Sequence, residues 1–326
     1  MSRKILNTIG EVFASEAKTI LDKLGSVDYR IPTQSELEAI IADHEIAVIG
    51  LGLVFNKNVL DKATRLKVIA TATTGLDHID LSRAKELGIE VLSLKGETEF
   101  LNSITGTAEL GWGLILDLWR KMPWAFDSVK QGEWKREKFA GFNLYEKNLG
   151  VVGLGRLGRW MAKYGRAFGM VVVFCDPNVD ESVGREVGAQ KVSFDKLLAM
   201  SDVVSINVDL SPKTENLFSA ETFKKMKSNA ILINTSRGKI VDEKDLLVAL
   251  QEKMIAGYAT DVLADETSFI GGIIPDGHPL VEYSKNNKNL IIVPHIGGMT
   301  IDSRIKTDIF IAKKVAKFAT ILDPVF

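Results

Sequence analysis

A disulfide framework is excluded at the outset, because the 326 residues contain a single cysteine, Cys175. The same scarcity rules out a cysteine-rich metal site and fits a reducing compartment. Nor is there a surplus of positive charge: 41 Lys and Arg stand against 42 Asp and Glu, for a net charge of −1. Nucleic-acid binders usually carry a basic excess to neutralise phosphates, so no nucleic-acid partner is expected. No run of about 18 uncharged apolar residues occurs, so no membrane span is expected. Met1–Gly10 alternates charged and aliphatic residues and lacks the apolar core and cleavage site of a signal peptide. A cytoplasmic location is therefore expected. Repeats and low-complexity segments are missing, and no spacing of His, Asp and Glu suggests a metal.

What is present is an ordinary globular composition, 46% hydrophobic and 25% charged, at a length suited to roughly two domains. Short aliphatic runs alternate with longer amphipathic stretches, the pattern of repeated strand–helix units. Strands are predicted at 4–8, 46–50, 68–72 and 90–93, with helices at 15–24, 35–42 and 81–87 between them. After a long apolar helix, 107–120, a second series of strands is predicted at 149–153, 171–176, 203–207, 230–234, 256–261 and 290–293. Six strands with intervening helices complete one doubly wound sheet, and the first series makes a smaller one. The amphipathic tail, 305–321, with Ile305, Ile309, Ala312, Val315, Ala316 and Ala319 on one face, is expected to fold back on the first domain. The expected division is 1–102 plus 298–326 for one domain and 103–297 for the other.

The best-placed motif is Gly153-Leu154-Gly155-Arg156-Leu157-Gly158, directly after an apolar strand and opening a helix. A second apolar strand ends at Asp176, 18 positions beyond Gly158, the spacing of a dinucleotide fingerprint. Gly153 permits the tight turn, Gly155 lets a pyrophosphate approach the backbone, and Gly158 lets helix and strand pack closely. Backbone N–H groups at the helix start, Arg156 and Leu157 included, favour the diphosphate. Asp176 accepts from the ribose hydroxyls and repels a 2′-phosphate, so NAD rather than NADP is the expected cofactor.

Hydride transfer to a 2-keto acid needs a cation for the carboxylate, an acid for the forming alkoxide and a group to orient that acid. Arginine supplies a planar fork, histidine a pKa near working pH, and a carboxylate the fixed tautomer. Arg237, Glu266 and His295 offer one of each, all just after predicted strands. Ligand sites of open α/β sheets collect at such strand ends.

With these residues in place, the chain resembles the D-isomer-specific 2-hydroxyacid dehydrogenase family along nearly its whole length. The resemblance runs through Thr74-Gly75-Leu76-Asp77-His78-Ile79-Asp80, Gly132-Glu133-Trp134, Leu149–Gly158, Asn234–Gly238, Asp261–Glu266 and His295–Gly298. It implies a Rossmann NAD-binding domain, a smaller flavodoxin-like substrate domain and a cleft between them. It implies Arg237 on the substrate carboxylate, His295 as proton donor paired with Glu266, and carboxylate-binding amides near Thr74 and Gly75. It further implies Thr235, Ser236 and Asp261 beside the nicotinamide end of NAD, with Gly298 also among the cofactor-binding residues. The implied activity is NAD-dependent oxidation or reduction of a small D-2-hydroxy or 2-keto acid. Two alternatives stand beside it: an NAD(H)-sensing, corepressor-like binding protein, or a relative acting on another donor such as phosphite.

Family resemblance and the apolar 107–120 helix lead to the expectation of a homodimer. No regulatory domain is expected after Phe326. Departures occur at Thr267, where proline is usual, at Thr73-Thr74, and at the long stretch 267–276, which reads as a lid, an interface element or a plain insertion. His44 and His78 read as surface or capping residues, His278 as structural, and Cys175 as a buried strand residue. Trp112, Trp119 and Trp124 read as packing or dimer-interface residues.

Overall fold

The computed structural model describes residues 3–269 and 272–322. Ile270 and Gly271, inside the long 267–276 stretch, lie outside the described residues, as do 323–326. The chain divides into two units: 1–103, 267–273 and 299–326 in the first, 104–266 and 274–298 in the second. Residues 267–273 thus group with the first unit, whereas the sequence pattern assigned them to the second.

In the first unit, period-two alternation builds a sheet with both faces covered. Its strands are β1 (Arg3–Asn7), β2 (Gly25–Tyr29), β3 (Ile46–Ile49), β4 (Val68–Thr71) and β5 (Glu90–Leu92). They run parallel in the order β2-β1-β3-β4-β5. Leu6, Ala47, Ile49 and Ile69 enter one core, while Ile5, Ile46, Val48, Val68 and Ala70 enter the core on the other face. Each fully buried aliphatic contributes roughly 1.5–3 kcal/mol. β2 was not expected from the sequence. It is a polar edge strand, Gly-Ser-Val-Asp-Tyr, only half-buried, so no aliphatic run marks it.

The last helix, Ile301–Leu322, packs in the same unit against helix Ser15–Asp22. It buries Ile311, Ala312 and Val315 beside Ile5, Ala17 and Leu21. The buried stripe runs through Ser303, Thr307, Asp308, Ile311, Ala312, Val315 and Ala319; of the face read from the sequence, Ala312, Val315 and Ala319 are buried, Ile309 and Ala316 half-buried, and Ile305 exposed.

The second unit holds β6 (Asn148–Val152), β7 (Val171–Cys175), β8 (Ala189–Lys191), β9 (Val203–Ile206), β10 (Ile231–Asn234), β11 (Gly257–Thr260) and β12 (Leu290–Ile292). All are parallel, in the order β12-β11-β10-β9-β6-β7-β8. The order reverses between β6 and β9, and ligands of such sheets bind at the carboxyl ends beside that switch. β8 is the unexpected strand here, a three-residue edge of mixed polarity.

Helix Gly106–Arg120 covers one face of this sheet through Ala108, Gly111, Trp112, Ile115, Leu118 and Trp119, at helical spacing. Trp112, Leu114, Ile115, Leu118 and Trp119 all belong to the unit's own core, with Trp124 packed against it. The apolar character of this helix is thus satisfied within the chain and gives no separate support for a dimer. His44 and His78, expected as surface or capping residues, are both buried; His44 does take a capping place, closing the turn Ile41–Asp43 with its amide on the Ile41 carbonyl and its Nδ1 2.9 Å from the Ile40 carbonyl. Cys175 is half-buried at the end of β7 rather than enclosed, and burial still pushes its thiol pKa up.

Candidate active site

The glycine turn after β6 shows three glycines with three different needs. Gly153 sits at φ +89°, where a side chain is strained, and a Cβ there would lie 2.6 Å from the Asn207 carbonyl oxygen. A Cβ on Gly158 would run into the Gly153 carbonyl, so close packing of the turn requires its absence. Gly155 has nothing within 4 Å of a built Cβ. That open side faces no protein atom, and it flanks the start of helix Arg156–Ala167, which has no side-chain cap. Uncapped N–H groups beside free space suit a diphosphate.

Asp176 follows β7 and accepts the amides of Leu154 at 2.9 Å and Asn178 at 2.8 Å. Its carboxylate therefore ties the glycine turn to the next strand end and keeps lone pairs for ribose hydroxyls. The Arg156 guanidinium donates to the Ile104 carbonyl, and burial lowers its pKa. Arg156 thus serves the second unit's own structure through its side chain, leaving its backbone at the helix start. Leu157 is half-buried and packs against the core. The turn, the uncapped helix and the terminal aspartate together fit NAD.

Arg237 stands in a turn braced from β10. Fully buried Asn234 donates from Nδ2 to the Arg237 carbonyl at 2.9 Å and accepts the Ser236 amide at 3.0 Å. The Ser236 hydroxyl donates to the Ile206 carbonyl at 3.0 Å, joining this turn to the end of β9. Thr235, Ser236 and Arg237 remain half-buried. The Arg237 guanidinium donates to the Ser236 carbonyl at 2.7 Å.

His295 follows β12 with a left-handed backbone, φ +51°. Its Nδ1 lies 2.8 Å from Glu266 Oε1. An ionised carboxylate only accepts, so Nδ1 carries the proton of this bond and Nε2 is the atom left for exchange. The hydrogen bond to Glu266 raises the His295 pKa above its ordinary value; burial opposes the rise, Glu266 and Asp261 charges add to it, and the Arg237 charge opposes it.

Asp261, at the end of β11 and buried, accepts the Ile296 amide at 2.6 Å and the Gly297 amide at 2.8 Å. Burial pushes its carboxyl pKa up, and those two amides pull it back. Gly297 is required there, since a Cβ would lie 2.8 Å from Asp261 Oδ2, while Gly298 is exposed and open.

Five strand ends of one sheet therefore carry the glycine turn, Asp176, Arg237, Asp261 with Glu266, and His295. The Glu266–His295 pair is in direct contact, and Arg237 is near enough to influence the imidazole electrostatically. Thr74 and Gly75 belong to the first unit, in the loop after β4. There the Thr73 hydroxyl donates to the Gly75 carbonyl at 2.7 Å and lies 3.0 Å from the Thr71 hydroxyl. Asn234 and Gly297 fall within the motifs without a task legible in the sequence: the bonds of Asn234 to Ser236 and Arg237, and of Gly297 to Asp261 in a distant motif, appear only in the fold. Among the described residues, no group of three or more His, Cys, Asp or Glu is arranged to hold a metal, and no helix is long and apolar enough to cross a membrane.

Comparison with known proteins agrees with this layout. Residues 112–297 match the sequence model described as D-isomer specific 2-hydroxyacid dehydrogenase, NAD binding domain. A D-3-phosphoglycerate dehydrogenase of Methanocaldococcus jannaschii is 35% identical over 304 residues, covering 93% of this chain and 55% of that protein. A glyoxylate reductase of Thermococcus litoralis is 35% identical over 271 residues, covering 81% of this chain and 77% of the relative. The chain thus spans about half the length of the phosphoglycerate dehydrogenases it matches. Among solved structures, a D-lactate dehydrogenase from Aquifex aeolicus complexed with NAD and lactic acid aligns with a TM-score of 0.83 at 29% identity, covering 97% of this chain and 95% of that one.

Proposed function

The chain belongs to the D-isomer specific 2-hydroxyacid dehydrogenase family, and from that premise we propose that it is an NAD-dependent oxidoreductase acting at C2 of a small D-2-hydroxy or 2-keto acid. The observation that carries the proposal is the 2.8 Å contact between His295 Nδ1 and Glu266, with the imidazole pKa raised. Such a pair keeps a proton available at Nε2 near neutral pH, which is what reduction of a carbonyl requires.

In this reading the bound NAD supplies or takes the hydride. The glycine turn 153–158, Arg156 and Leu157 amides included, holds the diphosphate, and Asp176 holds the ribose. Thr235, Ser236, Asp261 and Gly298 line the nicotinamide end. Arg237 grips the substrate carboxylate through its fork, with the Thr74 and Gly75 amides as further ligands. His295 delivers a proton to the substrate oxygen from Nε2, or removes one in the reverse direction. Glu266 keeps the ring in one tautomer and stabilises the imidazolium. The names of the relatives, with glyoxylate reductase and D-lactate dehydrogenase among them, support a small 2-keto acid as substrate.

We extend the proposal to a homodimer in the cytoplasm, with neither nucleic acid nor membrane as partner. Exposed Met122, Phe126 and Val129 on helix Met122–Lys130, with Trp134 beyond it, supply apolar surface for such a dimer. NADH oxidation with a panel of 2-keto acids, glyoxylate and pyruvate included, tests the activity. His295→Ala is expected to lose most turnover while keeping its NADH affinity. Normal turnover by that variant would remove His295 from the chemistry, and NADH binding without turnover on any acid would point to a sensor instead.

A further inference from the structure

A second histidine–carboxylate pair lies in the same unit, behind the first. His278 Nε2 is 3.7 Å from Glu243 Oε2, and both side chains are mostly buried, with relative exposures of 13% and 20%. Glu243 opens helix Glu243–Gln251, and His278 caps helix Pro279–Asn286. The other oxygen of Glu243 is directed elsewhere: Oε1 accepts the Ala264 amide at 2.8 Å.

Ala264 lies inside the turn that delivers Glu266. Leu263 donates its amide to Glu266 Oε2 at 3.3 Å, and the Glu266 amide returns to the Leu263 carbonyl at 3.4 Å. The Leu263–Ala264 peptide, whose carbonyl accepts the Glu266 amide, and the adjoining Leu263 N–H, which meets the carboxylate, together set where Glu266 points. A third element presses on that peptide. A Cβ on Gly238, the residue after Arg237, would collide with the backbone of Leu263 and Ala264. One peptide is thus hydrogen-bonded by Glu243 and backed by the arginine turn.

We propose that Glu243, steadied by His278, is a positioning residue: by clamping the Ala264 amide it fixes the Leu263–Glu266 turn so that Glu266 meets Nδ1 of His295. The proposal rests on the reading of His295 as the proton donor. It gives His278 a task that its place in the sequence does not suggest. The charged groups facing Glu243 are His278, Asp265 and Asp242, and those facing His295 are Glu266, Asp261 and Arg237. Burial pushes the Glu243 carboxyl up, while the Ala264 amide and His278 draw it down.

The test is an NMR titration of the four histidine side chains in the full chain, with His295→Asn assigning the His295 signal. Glu243→Ala is expected to move the His295 midpoint to lower pH, because Glu266 loses its fixed approach. Glu243→Gln, whose amide oxygen still accepts from Ala264, is expected to restore the parent midpoint. His278→Ala is expected to move it in the same direction as Glu243→Ala. NADH affinity and melting temperature, read in parallel, identify a variant that has failed to fold; Glu243→Asp, with its shorter reach, then replaces Glu243→Ala. An unmoved His295 midpoint in a folded Glu243→Ala, or a Gln variant that behaves like Ala, overturns the proposal. The titration needs no substrate. Failure to turn over any 2-keto acid would therefore defeat the functional reading while leaving this comparison readable.

Discussion

Two alanine substitutions, two positions apart in the chain, should separate the architecture of the glycine turn from its use. In Gly153→Ala the new Cβ meets Asn207 O at 2.6 Å and Val208 Cγ1 at 2.7 Å, and the backbone sits at φ +89°. Cβ atoms essentially never approach within 3.0 Å and sit in ordinary contact from 3.4 Å, so the β9 end must yield by some tenths of an ångström. A left-handed non-glycine residue costs about 1–2 kcal/mol, and overpacking costs about 1–3 kcal/mol. The melting temperature of the second unit should fall by about 4–20 °C, at roughly 2–4 °C per kcal/mol.

In Gly155→Ala the backbone is at φ −71° and the new methyl has no neighbour within 4 Å, so stability should stay within about 0.5 kcal/mol. The methyl instead enters the space a diphosphate needs above the helix start. NADH affinity should weaken about ten- to hundredfold, about 1.4–2.8 kcal/mol. Thermal unfolding and NADH fluorescence titration read the two effects. Parent-like NADH affinity in Gly155→Ala would refute the placement of the diphosphate, and parent-like stability in Gly153→Ala would refute the steric argument.

Glu266→Gln should shift the alkaline limb of 2-keto acid reduction to lower pH. The carboxylate raises the His295 pKa, so its loss leaves less imidazolium at any given pH; a limb that stays in place would contradict this. The same raised pKa means that the pair's contribution to stability is complete below the unfolded-state value near 6.5 and fades as pH rises through the folded-state value. Denaturation of parent and Glu266→Gln across that range checks the sign. Asp261→Ala removes the acceptor for two amides, at about 1–3 kcal/mol for each group left unpaired, and urea unfolding measures it. Ile311→Ala should destabilise the first unit by about 2–5 kcal/mol in the same assay. Asp176→Ala should narrow the preference for NADH over NADPH, as read by the ratio of the two dissociation constants.

Legibility in the sequence followed burial. Strands covered on both faces are mostly aliphatic, as in β3 (Ile-Ala-Val-Ile), and stand out. Edge strands β2 and β8 have one neighbour each and need no such run, so their polar residues hid them. For the last helix, periodicity marked the inward face over its second half, at Ala312, Val315 and Ala319, but not over its first, where the buried stripe runs through Ser303, Thr307 and Asp308. At the candidate site, the glycine turn, Arg237, Glu266 and His295 drew attention by residue type and strand-end position. Asn234 and Glu243 did not: each acts through one or two backbone hydrogen bonds that local sequence cannot reveal.

The pairing of the first strand with the last helix bears on how the protein is made. Ile5 and Ile311 share one core, yet about 300 residues of chain separate them, so Ile311 leaves the ribosome long after Ile5. At about 5–20 residues per second, that gap lasts about 15–60 s. The greater part of the second unit, 104–266, is contiguous and is fully synthesised within this interval. Until the final turns arrive, the side of the amino-terminal sheet carrying Ile5, Val48 and Val68 lacks its cover, a window in which a nascent chain is open to chaperones and to aggregation alike.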